Sequence, residues 1–284
     1  MNPSRLALGL AVALGLAGSA HAVPLVFSGT AGGATAAFDG FRAAIGGGSR
    51  ITWDGVRLDG TDVNPATRVI VPNSTVAIPV DRFRAAGALF ADPYAVAGDG
   101  FAAVNPATAG AFPAFSPNNT FVMFDDTTGS FDDRFIEQSF VLPGTATAAG
   151  TRGFGAIFVG VEDAGSSSIE YFGRDAGGGR ISLGRFVVPV GSGPGDTQFL
   201  GVLFDAAVIA DVVLTVGTHA LFSFDGSTLQ SFGPQTGAGV DLAVTDDFAF
   251  ATPQALVTVP EPPPLALGFA ALGAALCLRR IRGA

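Results

Sequence analysis

Residues 153–175 read GFGAIFVGVEDAGSSSIEYFGRD, and how this stretch folds decides the class of the whole chain. It holds two short β-favouring runs, Gly153–Val161 and Ser167–Arg174, separated by an acidic, Gly-containing turn. In the second run Ile169, Tyr171 and Gly173 share one side of an extended chain, while Glu170, Phe172 and Arg174 share the other. An apolar side beside a polar side is the mark of a strand that faces a core on one side and water on the other.

The pattern repeats outward. RISLGRFVVPV (180–190), TQFLGVLFD (197–205), AVIADVVLTVG (207–217), HALFSFDG (219–226) and DLAVTDDFAFA (241–251) follow at intervals of roughly twelve to twenty residues, with Gly, Asp or Pro between them. Upstream, PLVFSG (24–29), ITWDG (51–55), TRVIVP (67–72), TFVMFDD (120–126) and RFIEQSFVLPG (134–144) read the same way, if less regularly. Such spacing predicts an antiparallel β-sandwich rather than alternating β and α units. Phe248 and Phe250 should point together into its core. The exception is TAAFDGFRAAIGG, where Phe38, Phe41 and Ile45 fall at helical spacing and predict a short helix over Thr35–Ile45. Asp81–Gly87 is read as a second helical turn. Residues 23–104, less regular than the rest, are expected to supply this helix and long loops packed on the sandwich, with no linker to separate them.

Composition agrees. The 284 residues are 48% hydrophobic, with 25 Phe, 40 Gly and 18 Pro, which suits short strands and tight turns and argues against disorder. All 15 basic residues are Arg, so there is no lysine for amine chemistry or for a phosphate-binding loop. The net charge is −9, and residues 23–259 alone, with 11 Arg against 23 acidic residues, carry −12, which disfavours nucleic acid as a partner. The lone Cys277 excludes an intramolecular disulfide and a cysteine metal cluster.

The two ends differ from this body. MNPSRLALGLAVALGLAGSAHA carries Arg5, an apolar run from Leu6 to Leu16, and small residues Ala20 and Ala22 around His21, the three-part form of a secretory signal cleaved before Val23. At the other end Leu265–Leu278 is uncharged, and Arg279, Arg280 and Arg282 follow it. The run is short for a bilayer span of ~20 residues. Even so, the prolines upstream and the arginines behind predict a weak single-pass membrane helix whose terminal arginines stay in the cytoplasm.

Val259-Pro260-Glu261-Pro262, the apolar span and the arginine cluster together resemble the PEP-CTERM sorting signal of Gram-negative bacteria, which the membrane enzyme exosortase reads. The resemblance implies that Pro260, Glu261 and Pro262 form the recognition motif and that Arg279, Arg280 and Arg282 form the stop. The run Pro262-Pro263-Pro264 is richer in proline than the usual pattern. The division is then a signal peptide over 1–22, a secreted domain over 23–257 and a sorting signal over 258–284. The body, through FRAAIGG, ITWDGV, GFGAIFVGVED, SIEYFGRD, GRFVVPV, QFLGVLFD and DLAVTDDFAFATP, resembles a family of secreted proteins with the same anchor. That likeness implies a jelly-roll-like sandwich and brings no activity with it. The expected partners are signal peptidase, an exosortase-type enzyme and the membrane. The destination is the cell surface or an extracellular polysaccharide matrix.

Chemistry is sparse. After export His219 is the only histidine, it lies in an apolar stretch, and no G-x-S-x-G elbow is present, so no catalytic residue is assigned. The acidic pairs Asp125-Asp126, Asp132-Asp133, Glu162-Asp163 and Asp246-Asp247 could serve a glycoside hydrolase only if two acids faced one another across a cleft. Neighbours on a regular strand point to opposite faces, which argues against that use. A structural calcium ion is the other use for these acids, with Asp246 and Asp247 as its ligands; otherwise they are solvated turn carboxylates and the protein takes no cofactor. A carbohydrate-binding module is the alternative to a surface or matrix component, and it would need a row of exposed aromatics drawn from Trp53, Tyr94 and Tyr171. Asn73-Ser74-Thr75 and Asn118-Asn119-Thr120 are read as turns.

Overall fold

The computed structural model describes residues 23–61, 67–92, 94–122, 124 and 134–259. The signal sequence with Ala20 and Ala22, the tail from Pro260 through Arg282, and the pairs Asp125-Asp126 and Asp132-Asp133 lie outside the described residues.

In chain order the elements are β1 (Leu25–Thr30), α1 (Gly32–Ala44), β2 (Ser49–Ile51), β3 (Arg68–Val71), β4 (Thr75–Ile78), β5 (Ala88–Phe90), β6 (Tyr94–Ala97) and β7 (Thr120–Val122). They continue with β8 (Phe135–Phe140), β9 (Gly153–Val159), β10 (Ser168–Arg174), β11 (Arg180–Val187), β12 (Thr197–Leu203), β13 (Asp211–Thr215), β14 (Phe222–Phe224), β15 (Leu229–Ser231) and β16 (Val244–Phe250). Short 3₁₀ turns occupy Arg84–Ala86 and Pro106–Thr108.

The strands form a large antiparallel sheet in the order β1-β12-β9-β16-β7-β6-β4-β3, with β2 also paired to β16, and a smaller one in the order β11-β10-β13-β8-β5. β14 and β15 make a separate hairpin. The protein is therefore mainly β, in the sandwich class. One core fills the space between the sheets, with Phe154, Ala156, Phe158, Phe248 and Phe250 meeting Phe90, Ile136, Phe140, Ile169, Tyr171, Val212 and Leu214. A second core covers the other face of the large sheet. There Ile157, Val159, Phe199 and Ala249 pack against Phe38, Phe41 and Ile45 of the helical segment and against Phe222 and Phe224 of the hairpin.

The middle of the large sheet is thus buried on both faces, and all seven residues of β9 and of β16 are buried. Gly155 and Gly201 lie opposite one another on β9 and β12. A Cβ on either would come within 2.7 Å of the Phe199 ring, so the missing side chains make the room that the aromatics under α1 fill.

Several expectations hold. Ile169 and Tyr171 face the core while Glu170, Phe172 and Arg174 reach solvent, and Phe248 and Phe250 point inward together. The helix forms with Phe38 and Phe41 buried, though it begins at Gly32, and the second turn sits at Arg84–Ala86. Two expectations change. ITWDG is not a continuous strand: β2 ends at Ile51, and Trp53 adopts φ 65. That left-handed conformation, costly for a bulky residue, is held by full burial and by stacking on Phe121 at 3.7 Å between ring centroids. Residues 23–104 are more than a helix and loops, since they supply β1 to β6, five of them to the large sheet. β4, β5 and β6 read TVAI, ALF and YAVA, too short and too uniformly apolar to alternate.

Candidate functional site

Two clusters of charged side chains stand out, one enclosed and one open. The enclosed one grows from an irregularity in β16. Thr245 lies opposite Phe158 and Phe248 opposite Ala156, so Asp246 and Asp247 together take the place of one residue across from Ile157. This is a β-bulge, sited where β16 changes partner from β7 at Thr245 to β2 at Phe248–Phe250.

The bulge turns both carboxylates into one place. The Ser116 hydroxyl lies 2.9 Å from Asp247 Oδ1, 3.3 Å from Asp246 Oδ1 and 3.3 Å from Asp54 Oδ2. The expectation that neighbouring acids must point apart is corrected here, because the pleat is interrupted between them. The freed Asp246 carbonyl accepts the Trp53 indole N–H at 2.6 Å, and its carboxylate accepts the Phe115 N–H at 2.6 Å. Arg50, facing Ala249 across β2 and β16, forms an ion pair with Asp247 and donates its Nε–H to Oδ2 at 2.6 Å. Asp54 accepts the N–H groups of Asn118 and Asn119, and the Asn119 amide donates to the carbonyls of Trp53 and Val56. The cluster therefore ties the segment 115–119 to the Trp53 turn and to the bulge.

Both aspartates are fully buried. Burial, reinforced by the neighbouring Asp247 charge, pushes the Asp246 carboxyl up to about 8, so near neutrality it keeps its proton. Burial also raises Asp247, against the pull of Arg50. Each acid thus has protein partners, and the cationic partner of Asp247 is the Arg50 guanidinium. Among the described residues no group of three or more His, Cys, Asp or Glu is arranged to hold a metal ion.

The open cluster lies on the outer face of the small sheet, the sheet face left without a covering layer among the described residues. Asp211 on β13 is opposite Phe172 on β10 and Ser139 on β8, and Arg174 on β10 is opposite Arg180 on β11. Arg174 and Arg180 approach the two Asp211 oxygens at 2.7 and 2.6 Å, as close ion pairs rather than aligned hydrogen bonds. Arg180 also pairs with Glu137 at 3.0 Å, and its guanidinium lies 3.6 Å from the centroid of the Phe172 ring. Glu137, Arg174, Arg180 and Asp211, with Ala91 and Ser139, line a shallow pocket of about 240 Å³. Asp211 is 4% exposed and forms the floor, whereas Arg174, Arg180 and Glu137 are 30, 39 and 44% exposed. Two acids do face this pocket, but Arg180 bridges them, so neither is placed as a proton donor opposite a nucleophile.

The other residues singled out by sequence have structural surroundings. Trp53, Tyr94 and Tyr171 are buried, so they cannot form the exposed aromatic row, and burial raises both tyrosine hydroxyls well above the usual phenol range. Half-buried His219 contacts the Thr218 hydroxyl through Nδ1 at 2.9 Å. Glu162 and Asp163 are exposed turn residues whose N–H groups donate to the buried Asp241 carboxylate. Asn73 makes the β3–β4 turn at φ 57, and Asn119 is buried in the enclosed cluster.

No known family, curated protein or solved structure matches this chain.

The pocket residues were not selected from sequence because Glu137, Arg180 and Asp211 are far apart in the chain. The only legible signal was the polar side of the run around Arg174.

Proposed function

We propose that this protein is exported, held transiently by its C-terminal apolar segment, and sorted by an exosortase-type enzyme to the cell surface or extracellular polysaccharide matrix, where it acts without catalysing a reaction. One observation carries the reading: a three-part tail of Pro260-Glu261-Pro262, Leu265–Leu278 and the arginines Arg279, Arg280 and Arg282, paired with a secretory signal at the other end. Supporting it, the Val259 N–H donates to the Arg174 carbonyl at 2.8 Å, so the folded body extends to the residue that immediately precedes the recognition motif in sequence. The order β7-β16-β9-β12 over β8-β13-β10-β11 supports reading the sandwich as a jelly roll. Mass spectrometry of the protein recovered from the medium tests the proposal. It should begin at Val23 and lack the apolar tail, and Glu261→Ala should trap full-length chain in the membrane. Release of an intact C-terminus would overturn the sorting reading.

A second reading, that the body binds carbohydrate, is favoured by the polar pocket on the uncovered sheet face. Glycan-array binding with and without a chelator separates it from a purely structural role and shows whether calcium takes part.

A further inference from the structure

We infer that the pocket on the outer face of the small sheet is a subsite for one unit of a neutral, hydroxyl-rich saccharide. The inference rests on the carbohydrate-binding reading and names both its site and its ligand class.

Charge balance comes first. Two guanidiniums face two carboxylates, so the formal charge of the cluster is zero, and both cations are already committed to Asp211 and Glu137. An anionic ligand would meet no free positive charge and would have to displace Glu137 to gain one. On a body of charge −12 it would also approach against the overall field. Phosphate, sulfate and uronate groups are disfavoured for the same reason.

Donor and acceptor supply comes second. Each guanidinium carries five N–H donors. Arg180 spends donors on Asp211 and Glu137, and Arg174 spends them on Asp211 and the Gly173 carbonyl, so both keep N–H groups for a ligand. Glu137, nearly half exposed, offers acceptor lone pairs, and Ser139 offers a hydroxyl that can donate or accept. A vicinal diol needs this mixture, because every sugar hydroxyl both donates and accepts. Asp211 serves as a positioning residue: nearly buried, it holds the two planar forks from below. Preorganised donors cost little to order when the ligand arrives.

Shape comes third. A pocket of about 240 Å³ is below the range of drug-sized sites and suits a single ring. The Phe172 face is already covered by Arg180, so recognition should run through hydroxyl hydrogen bonds rather than ring stacking.

The test uses the full-length chain purified in detergent, titrated by calorimetry and saturation-transfer NMR with neutral hexasaccharides (β-glucan and mannan) and with oligogalacturonate. The expected result is binding of a neutral oligosaccharide at least tenfold tighter than oligogalacturonate. The double variant Glu137→Gln with Ser139→Ala should weaken neutral binding at least tenfold, and Glu137→Gln alone, which leaves the cluster net positive, should narrow the preference over oligogalacturonate. Tighter binding of oligogalacturonate, or neutral binding unchanged in the double variant, would overturn the site while leaving carbohydrate binding standing. Failure of every saccharide to bind the wild-type chain would overturn the carbohydrate reading itself. Unaltered circular dichroism of the variants shows that any loss is local.

Discussion

The enclosed cluster around Asp246 and Asp247 and the open cluster around Asp211 and Glu137 are built from the same residue types, yet they are placed for opposite ends. In the first, a bulge brings two acids together inside the protein, and an arginine, a serine and backbone amides consume their hydrogen-bonding capacity. In the second, two arginines hold a nearly buried aspartate from above and retain donors toward water. What separates them is the covering layer. The large sheet carries a helix and a hairpin on its far face, whereas the far face of the small sheet is bare among the described residues. Acids under cover act as fasteners, and acids on a bare face remain available to a ligand.

Removing Arg50 should break the enclosed cluster most severely. Arg50→Ala leaves the Asp247 charge buried and unpaired, and should cost about 2–4 kcal/mol in urea unfolding, below the fully buried range because a third of Arg50 faces water. A cost under about 1 kcal/mol would mean that the pair does not hold the bulge.

Asp246→Asn sharpens the same contrast through pH. The folded chain keeps the Asp246 proton up to about pH 8, whereas the unfolded chain loses it near 3.8, so between those values the folded state binds the extra proton. Stability from this group is therefore greatest at low pH and is lost as pH rises from about 4 to about 8, at up to ~1.4 kcal/mol per pH unit. The asparagine variant is neutral throughout, so thermal melts of the two proteins should diverge in the variant's favour as pH rises. Parallel curves would show that Asp246 is not protonated in the fold.

Gln138 offers a smaller and opposite effect. It is buried on the inner face of β8, across from Val212 and Phe90, and neither heteroatom of its amide finds a hydrogen-bonding group among the described residues. Gln138→Leu should stabilise the protein by about 1–2 kcal/mol, read from the urea midpoint, because it removes a desolvated amide from an apolar layer. Least of all, Arg180→Ala on the open face should cost no more than about 1 kcal/mol, since Arg174 still holds Asp211 and the lost pairs are partly solvated. A larger loss would make the open cluster a fastener too, and the distinction between the two would fall.

Much of the sandwich was legible from side-chain alternation, which requires only that one face be wet. The run 167–175 and the pair Phe248 and Phe250 were read correctly because their periodicity survives folding unaltered. β4 and β6 were not legible, because strands buried on both sides lose their alternation, and β5, with three residues, is too short to show any. The bulge at Asp246-Asp247 was misread for a related reason: a two-residue period cannot register an inserted residue that depends on where a neighbouring strand ends. Beyond the polar side of the run around Arg174 the open pocket was not legible, since its charged residues come from β8, β10, β11 and β13 and meet only through strand register.

By itself the sequence determined the class of fold, the acidic and lysine-free surface, and the tripartite ends that carry the sorting proposal, all of which are local or compositional properties. Tertiary structure alone decided which acids are covered and which are open. Burial, charge pairing and a proton's residence depend on what packs from the far side of a sheet, and that information lies in no single segment of the chain.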